Sequence, residues 1–127
     1  MIHQSKRFVV AYHARLIDLF GGSHGMRDEA LLDSALAQPR ATFDGTPLHA
    51  DLWETAAAYG FHLIRNHAFV DGNKRIAAVA IGAFLDVNGA PLRVDEVALY
   101  ETMIALAEGR LTKPELAAWL RTRASVL

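Results

Sequence analysis

Apolar residues recur along this chain at the three- and four-residue spacing of α-helices. The first such run contains Phe8, Tyr12, Leu16 and Leu19. Ser5 stands before it in the position of a helix N-cap, and Gly21 follows it as a helix terminator. The pattern therefore predicts a first helix between these two residues.

The same spacing, with capping and terminating residues, predicts five more helices. They run from Asp28 to just before Pro39, from Asp51 to about Arg65, from about Asn73 to Asn88, from about Asp95 to Glu108, and from Thr112 to about Arg123. Acidic residues three positions after Asp51 and Thr112 predict a capping box at each of these two starts.

Alternation with the period of a strand is weak throughout. Short pieces near residues 23–27 and 91–94 are the only strand candidates, and residues 40–50 are predicted to be a loop. We therefore predict an all-α, compact domain of about six helices with a short flap, occupying residues 1–127 as a single domain.

Composition excludes several classes of function. The chain has 127 residues, of which 52% are hydrophobic, and 13 basic side chains balance 14 acidic ones. Balanced charge argues against direct nucleic-acid binding. The absence of cysteine excludes disulfides, thiolate metal sites and a cysteine nucleophile, and favours a cytoplasmic location. Neither a signal peptide nor a membrane span is expected.

Candidate chemistry is concentrated in residues 67–75, between two apolar helices. A helix that starts at Gly72 or Asn73 presents free N–H groups and its positive dipole end, which together attract phosphate. Gly72 would let an anion approach the backbone, and Lys74 and Arg75 add cationic donors. Asp71 is a suitable magnesium ligand, and the His67 imidazole is a suitable general base.

A purely structural interpretation of the same residues is available. Asp71 would cap the following helix, Lys74 and Arg75 would form a solvated face, and His67 would be a turn residue. For any residue alone this interpretation is favoured. The combination at fixed spacing favours a phosphate-binding site.

This segment resembles the signature of the Fic/Doc family. The matching positions are His67, Phe69, Asp71, Gly72, Asn73 and Arg75. With lysine at position 74 the segment resembles the Doc branch in particular. The resemblance extends to residues 22–35 and to Asn88-Gly89, so it covers essentially the whole domain.

The resemblance implies an ATP- and magnesium-dependent transferase. Most Fic enzymes transfer AMP, and they have glycine at the position of Lys74 and a second arginine at the position of Ala78. Doc proteins share both departures seen here. The implied function is that of a toxin of a type II toxin–antitoxin system. Such a toxin phosphorylates a threonine or serine hydroxyl of elongation factor Tu and inhibits translation.

The resemblance also implies residue roles. His67 would be the general base and Asp71 would position magnesium. Phosphate binding would involve Gly72, Asn73, Lys74, Arg75 and Arg65. Gly25, Met26 and Arg27 would belong to a flap that binds the target as an added strand. For Arg65, a simple helix-end role is equally favoured.

A built-in inhibitory helix motif is missing, since Ile104 stands where serine or threonine is needed before Glu108-Gly109. The resemblance therefore implies a separate Phd-type antitoxin, whose disordered tail would fold as a helix in an apolar groove. Two alternatives stay open. One is a protein AMP transferase on the same fold, and the other is a non-catalytic binding module.

Overall fold

The fold is built from helices that begin where the sequence provides a cap. In a computed structural model, which describes residues 1–126, six α-helices account for most of the chain. They are α1 (Lys6–Phe20), α2 (Glu29–Ala37), α3 (Leu52–Asn66), α4 (Asn73–Val87), α5 (Glu96–Ala107) and α6 (Lys113–Arg123). The all-α class predicted from the sequence is confirmed. None of the described helices is long and apolar enough to cross a bilayer.

Side-chain caps set most of the helix starts. Ser5, Asp28, Asp51, Asp95 and Thr112 each accept a hydrogen bond from a backbone N–H in the first turn. Thr112 and Glu115 form the reciprocal capping box expected there. At α3 the box is only half formed, because the Glu54 carboxylate accepts from the N–H of Ala50 and not from that of Asp51.

The strand predictions were wrong in position. The hairpin lies in the predicted loop, with β1 (Thr42–Phe43) antiparallel to β2 (Thr46–Pro47). Its turn is Asp44-Gly45, and both residues have positive φ, at 54° and 82°. Asp-Gly is a strong signal for a two-residue hairpin turn, and two-residue strands are too short to show alternation. The pieces at 23–27 and 91–94 each contribute one isolated bridge instead.

Helix α3 is the central element, and it packs against α2, α4, α5 and α6. Its middle, residues 55–60, is buried throughout. The largest fully buried side chains include Tyr59 and Leu63 of α3, Phe84 of α4, and Phe69 of the connection between α3 and α4. This connection is thereby anchored to the core at its centre.

Candidate functional site

The candidate site is the loop of residues 67–72, which joins α3 to α4 (the 67–72 loop). It opens with His67, the C-cap of α3, whose backbone is left-handed with φ 48° and ψ 52°. It ends with Gly72, the N-cap of α4, also left-handed at φ 77°. Two left-handed residues turn the chain back sharply, and α4 then packs against α3.

Asn73 closes this loop from inside. The residue is buried, its amide oxygen accepts from the N–H of Phe69 (3.1 Å), and its amide nitrogen donates to the carbonyl of Phe69 (3.0 Å). Because both polar atoms of the side chain are engaged, the side chain maintains the loop. At this position the backbone N–H, and not the Asn73 side chain, is available to contact a phosphate.

The start of α4 presents an uncapped helix end. Its N-cap, Gly72, has no side chain to accept from the first-turn N–H groups. Lys74 lies in that turn, and its ammonium forms no ion pair within residues 1–126. The positive end of the helix dipole and the Lys74 side chain therefore lie in the same turn.

His67 and Arg65 are brought together. Both side chains are exposed and line a cavity of about 460 Å³, whose other lining residues are Phe61, Ile64, Leu106 and Ala107. The guanidinium carbon of Arg65 lies 5.9 Å from the centroid of the Phe61 ring. The cavity wall therefore combines a candidate base with a candidate phosphate ligand.

Arg75 points elsewhere. Its guanidinium carbon is 4.2 Å from the Phe20 ring centroid and 4.8 Å from that of Tyr100. It lines a separate groove of about 380 Å³ between α1, α4 and α5 (the α1–α4–α5 groove). The structure does not bring this side chain to the cavity of His67, so a phosphate contact would require it to leave both rings.

Asp71 is exposed and tied to the segment before α2. One oxygen of its carboxylate, Oδ2, accepts from the N–H of Ser23 (3.0 Å). The glycine at position 22 packs so closely that a Cβ there would lie 3.1 Å from the same oxygen. This contact fixes the carboxylate while leaving Oδ1 for another ligand.

Residues 25–27, predicted as a target-binding flap, contact the 67–72 loop directly. The Gly25 carbonyl accepts from the N–H of Val70, and the N–H of Arg27 donates to the Ala68 carbonyl. Met26 forms an isolated antiparallel bridge with Phe69. A target strand added to this segment would have to use its opposite backbone edge.

The Arg27 side chain has a structural task. Its Nε donates to the His67 carbonyl (2.7 Å), and an Nη donates to that of Asn66 (3.0 Å). These carbonyls lie at the end of α3, where carbonyl groups have no hydrogen-bond donor within the helix. Arg27 thereby holds His67 in its left-handed conformation, a role that sequence spacing did not suggest.

His13 is a further residue that sequence reasoning missed. It is buried on α1, stacks on Phe69, and its Nε2 lies 2.7 Å from the Asp71 carbonyl oxygen. The signal in the sequence was its position four residues after Val9, on the apolar face of α1.

His62, by contrast, accepts from the Lys113 ammonium (3.0 Å), as a packed histidine. No three potential metal ligands cluster within residues 1–126.

Comparison with known proteins identifies the family of the chain. The model of the Fic/DOC family matches residues 4–85, which include α1 to α3, the whole 67–72 loop and all but the last two residues of α4. A protein named Toxin Doc from Mycolicibacterium smegmatis (strain ATCC 700084 / mc(2)155) is 50% identical over 76 residues. That match covers 60% of this chain but only 58% of the relative's own length. The chain belongs to the Fic/Doc family.

Proposed function

We propose that this protein is a toxin that transfers the γ-phosphoryl group of ATP to a serine or threonine hydroxyl of a target protein. Elongation factor Tu is the proposed target, and arrest of translation is the consequence. The observation that carries the proposal is that one short loop joins exposed His67, on a cavity wall, to the uncapped, cationic start of α4.

His67 acts on the incoming hydroxyl. The hydroxyl oxygen forms a bond to the γ-phosphorus while the bond from that phosphorus to the β,γ-bridging oxygen breaks, releasing ADP. The hydroxyl proton passes to the His67 imidazole. Arg27 supports this role, because its hydrogen bonds to the carbonyls of Asn66 and His67 fix the position from which the imidazole extends.

The phosphates of ATP bind at the start of α4. The first-turn N–H groups and Lys74 offset their charge, and Arg65 contributes from the cavity wall. Loss of charge stabilisation in the transition state is the main cost of removing such groups in phosphoryl transfer. Lys74 is a half-buried residue of the first turn of α4, the turn whose N–H groups are proposed to bind phosphate.

Asp71 fits a magnesium ion. Its carboxylate is exposed, and only one oxygen is committed to the backbone of Ser23. Hard oxygen ligands of this kind suit magnesium. When bound, the ion would neutralise phosphate charge, and the contribution of the chain is to hold the carboxylate in place.

The proposal is tested with purified protein, elongation factor Tu, magnesium and ATP labelled in parallel on the α- or the γ-phosphate. We expect label from the γ-phosphate alone, and a loss of at least about 100-fold in His67→Ala because a general base is removed. His3→Ala, at a histidine outside the flap and the 67–72 loop that is bonded to the Tyr59 hydroxyl, is the control and should keep full activity. Transfer of the α-phosphate would show an AMP transferase instead. Absence of transfer in every reaction would favour a non-catalytic module.

The α1–α4–α5 groove is the proposed site for a Phd-type antitoxin. Its lining is largely apolar, with Leu19 70% and Phe20 57% exposed. Arg75 and Glu96 are its charged lining residues, and the Arg75 guanidinium lies near the rings of Phe20 and Tyr100. Such a groove suits an amphipathic helix whose acidic side chain faces Arg75.

Co-expression tests this assignment. In cells that also express a Phd-type antitoxin able to neutralise the unmodified protein, Leu19→Glu should remain toxic and escape neutralisation, because a carboxylate would be buried in the apolar contact. Leu48→Glu, which changes an exposed apolar residue outside the groove, should still be neutralised. Equal neutralisation of both variants would contradict this docking site.

A further inference from the structure

His13 is a buried polar side chain with no part in the chemistry described above. It is 3% exposed and lies on α1 among apolar residues. Its ring is stacked on Phe69, with centroids 3.7 Å apart and planes inclined by 12°. Phe69 is itself the core anchor of the 67–72 loop, so His13 contacts the loop where its position is set.

The second contact of His13 is polar. Its Nε2 lies 2.7 Å from the carbonyl oxygen of Asp71. A carbonyl oxygen only accepts hydrogen bonds, so Nε2 carries the proton. The same peptide unit joins Asp71 to the N-cap of α4, and His13 therefore restrains the step from the loop into the helix.

The space around this hydrogen bond is tightly filled. A Cβ at position 72 would lie 3.1 Å from Cδ1 of Ile17 and 3.4 Å from Nε2 of His13. Gly72 thus packs directly on α1 in its left-handed conformation. The floor beneath the loop is formed by two α1 residues one turn apart, and only His13 offers it a hydrogen bond.

We propose that His13 is a positioning residue. It sets the peptide after Asp71, and through it the direction of the Asp71 carboxylate and of the first N–H groups of α4, relative to His67. It touches neither the hydroxyl nor the phosphates. Its effect on catalysis rests on the proposed phosphoryl transfer, whereas its effect on the loop does not.

Two variants separate the contacts of His13. His13→Phe retains an aromatic ring against Phe69 but lacks the donor, and His13→Gln retains an N–H donor but lacks the ring. The matched control is His3→Phe, which removes a hydrogen bond of 2.9 Å between a histidine and the Tyr59 hydroxyl, remote from the loop in sequence. Each variant is first checked for its helical circular dichroism.

The first readout is nuclear magnetic resonance without nucleotide. In the unmodified protein the His13 ring should carry its proton on Nε2. In His13→Phe, amide exchange at residues 69–73 should accelerate at least tenfold while α5 and α6 are unchanged, and His3→Phe should leave these amides unaffected. A proton on Nδ1 alone, or unchanged exchange in folded His13→Phe, would overturn the proposal. If His13→Phe does not fold, the ring proton and His13→Gln decide.

The second readout is phosphoryl transfer. We expect kcat to fall about 100-fold in His13→Phe with KM for ATP changed less than threefold, because misplacement of reacting groups costs rate more than binding. The kcat of His13→Gln should be at least tenfold higher than that of His13→Phe. Equal losses in both variants would indicate a purely structural role and overturn the proposal. If the unmodified protein transfers nothing, the proposed function fails, and the magnetic resonance result alone decides the role of His13.

Discussion

At the scale of single residues, the site divides into groups that face outward and groups that hold them in place. His67 and Asp71 are exposed, whereas His13 and Asn73 are buried with defined backbone partners. Arg27 belongs with the second set, because its guanidinium binds two carbonyls at the end of α3. The side chains of His13, Arg27 and Asn73 therefore contact the backbone of the 67–72 loop or the residues next to it.

Two neighbouring glycines test how closely the Asp71 carboxylate is held. Gly21→Ala and Gly22→Ala both place a side chain at positive φ, 89° and 107°, and each should lower the free energy of unfolding by about 1–3 kcal/mol. Only the Cβ at position 22 would press on the Asp71 carboxylate, since position 21 has no atom within 4 Å.

We therefore expect Gly22→Ala alone to reduce the proposed phosphoryl transfer, by roughly tenfold or more, because the Asp71 carboxylate is displaced. Urea unfolding gives the stability of both variants, and assays are made well below the unfolding midpoint. Similar transfer rates for the two alanine variants would show that Asp71 tolerates displacement.

At the scale of elements, the helix pair α3–α4 carries the site, and its close approach depends on one glycine. A Cβ at Gly60 would lie 2.5 Å from Cδ1 and 3.2 Å from Cγ1 of Ile81. Gly82, one residue further along α4, has no atom within 4 Å. The two helical glycines therefore differ in packing and not in backbone conformation.

Gly60→Ala should destabilise the protein, because overpacking costs about 1–3 kcal/mol and exceeds the gain in helix propensity. Gly82→Ala should stabilise it by about 0.5–1 kcal/mol, because the propensity gain acts alone. Denaturant unfolding of both variants measures the difference. A stabilising Gly60→Ala would mean that Ile81 moves aside at little cost and that α3 and α4 are not tightly fitted.

At the scale of the whole molecule, α6 is joined to α3 through a half-buried polar pair. The Lys113 ammonium donates to Nε2 of His62. Burial, helped by the charge of Lys113 and by His49 and Arg65, lowers the pKa of His62 from 6.5 to about 4. Desolvation lowers the pKa of Lys113, and the negative charge of Glu54 offsets part of this shift. The His62 side chain is thus neutral in the folded chain at neutral pH.

Stability should consequently fall as the solution is acidified. Below about pH 6.5 the unfolded chain binds a proton at His62, and the folded chain does so only near pH 4. Because the group is half exposed, the loss between pH 7 and 4.5 should be on the order of 1–2 kcal/mol. His62→Gln, which retains an acceptor for Lys113, should lose less than the unmodified protein in urea titrations. Equal pH dependence in the two proteins would contradict this assignment.

The sequence by itself determined the helices and the signature loop. Caps and 3.6-residue spacing act through neighbours in the chain, so residues such as Asp28 and Thr112 marked helix starts correctly. His67 and Asp71 stood out as candidate site residues from the signature motif, and their roles stay predictions. The hairpin at 42–47 had a local signal, Asp44-Gly45, but its strands were too short to support it.

Only the tertiary structure decided what the polar side chains contact. His13 lies 58 positions from Asp71, and Arg27 lies 40 positions from His67, so no local rule joins them. Arg75 was assigned to phosphate from its place in the motif, yet the packing of α1 and α5 provides two aromatic rings that hold it elsewhere. Sequence patterns report on a residue's neighbours along the chain, whereas hydrogen bonds and ring contacts form between whichever groups the packed helices bring within reach.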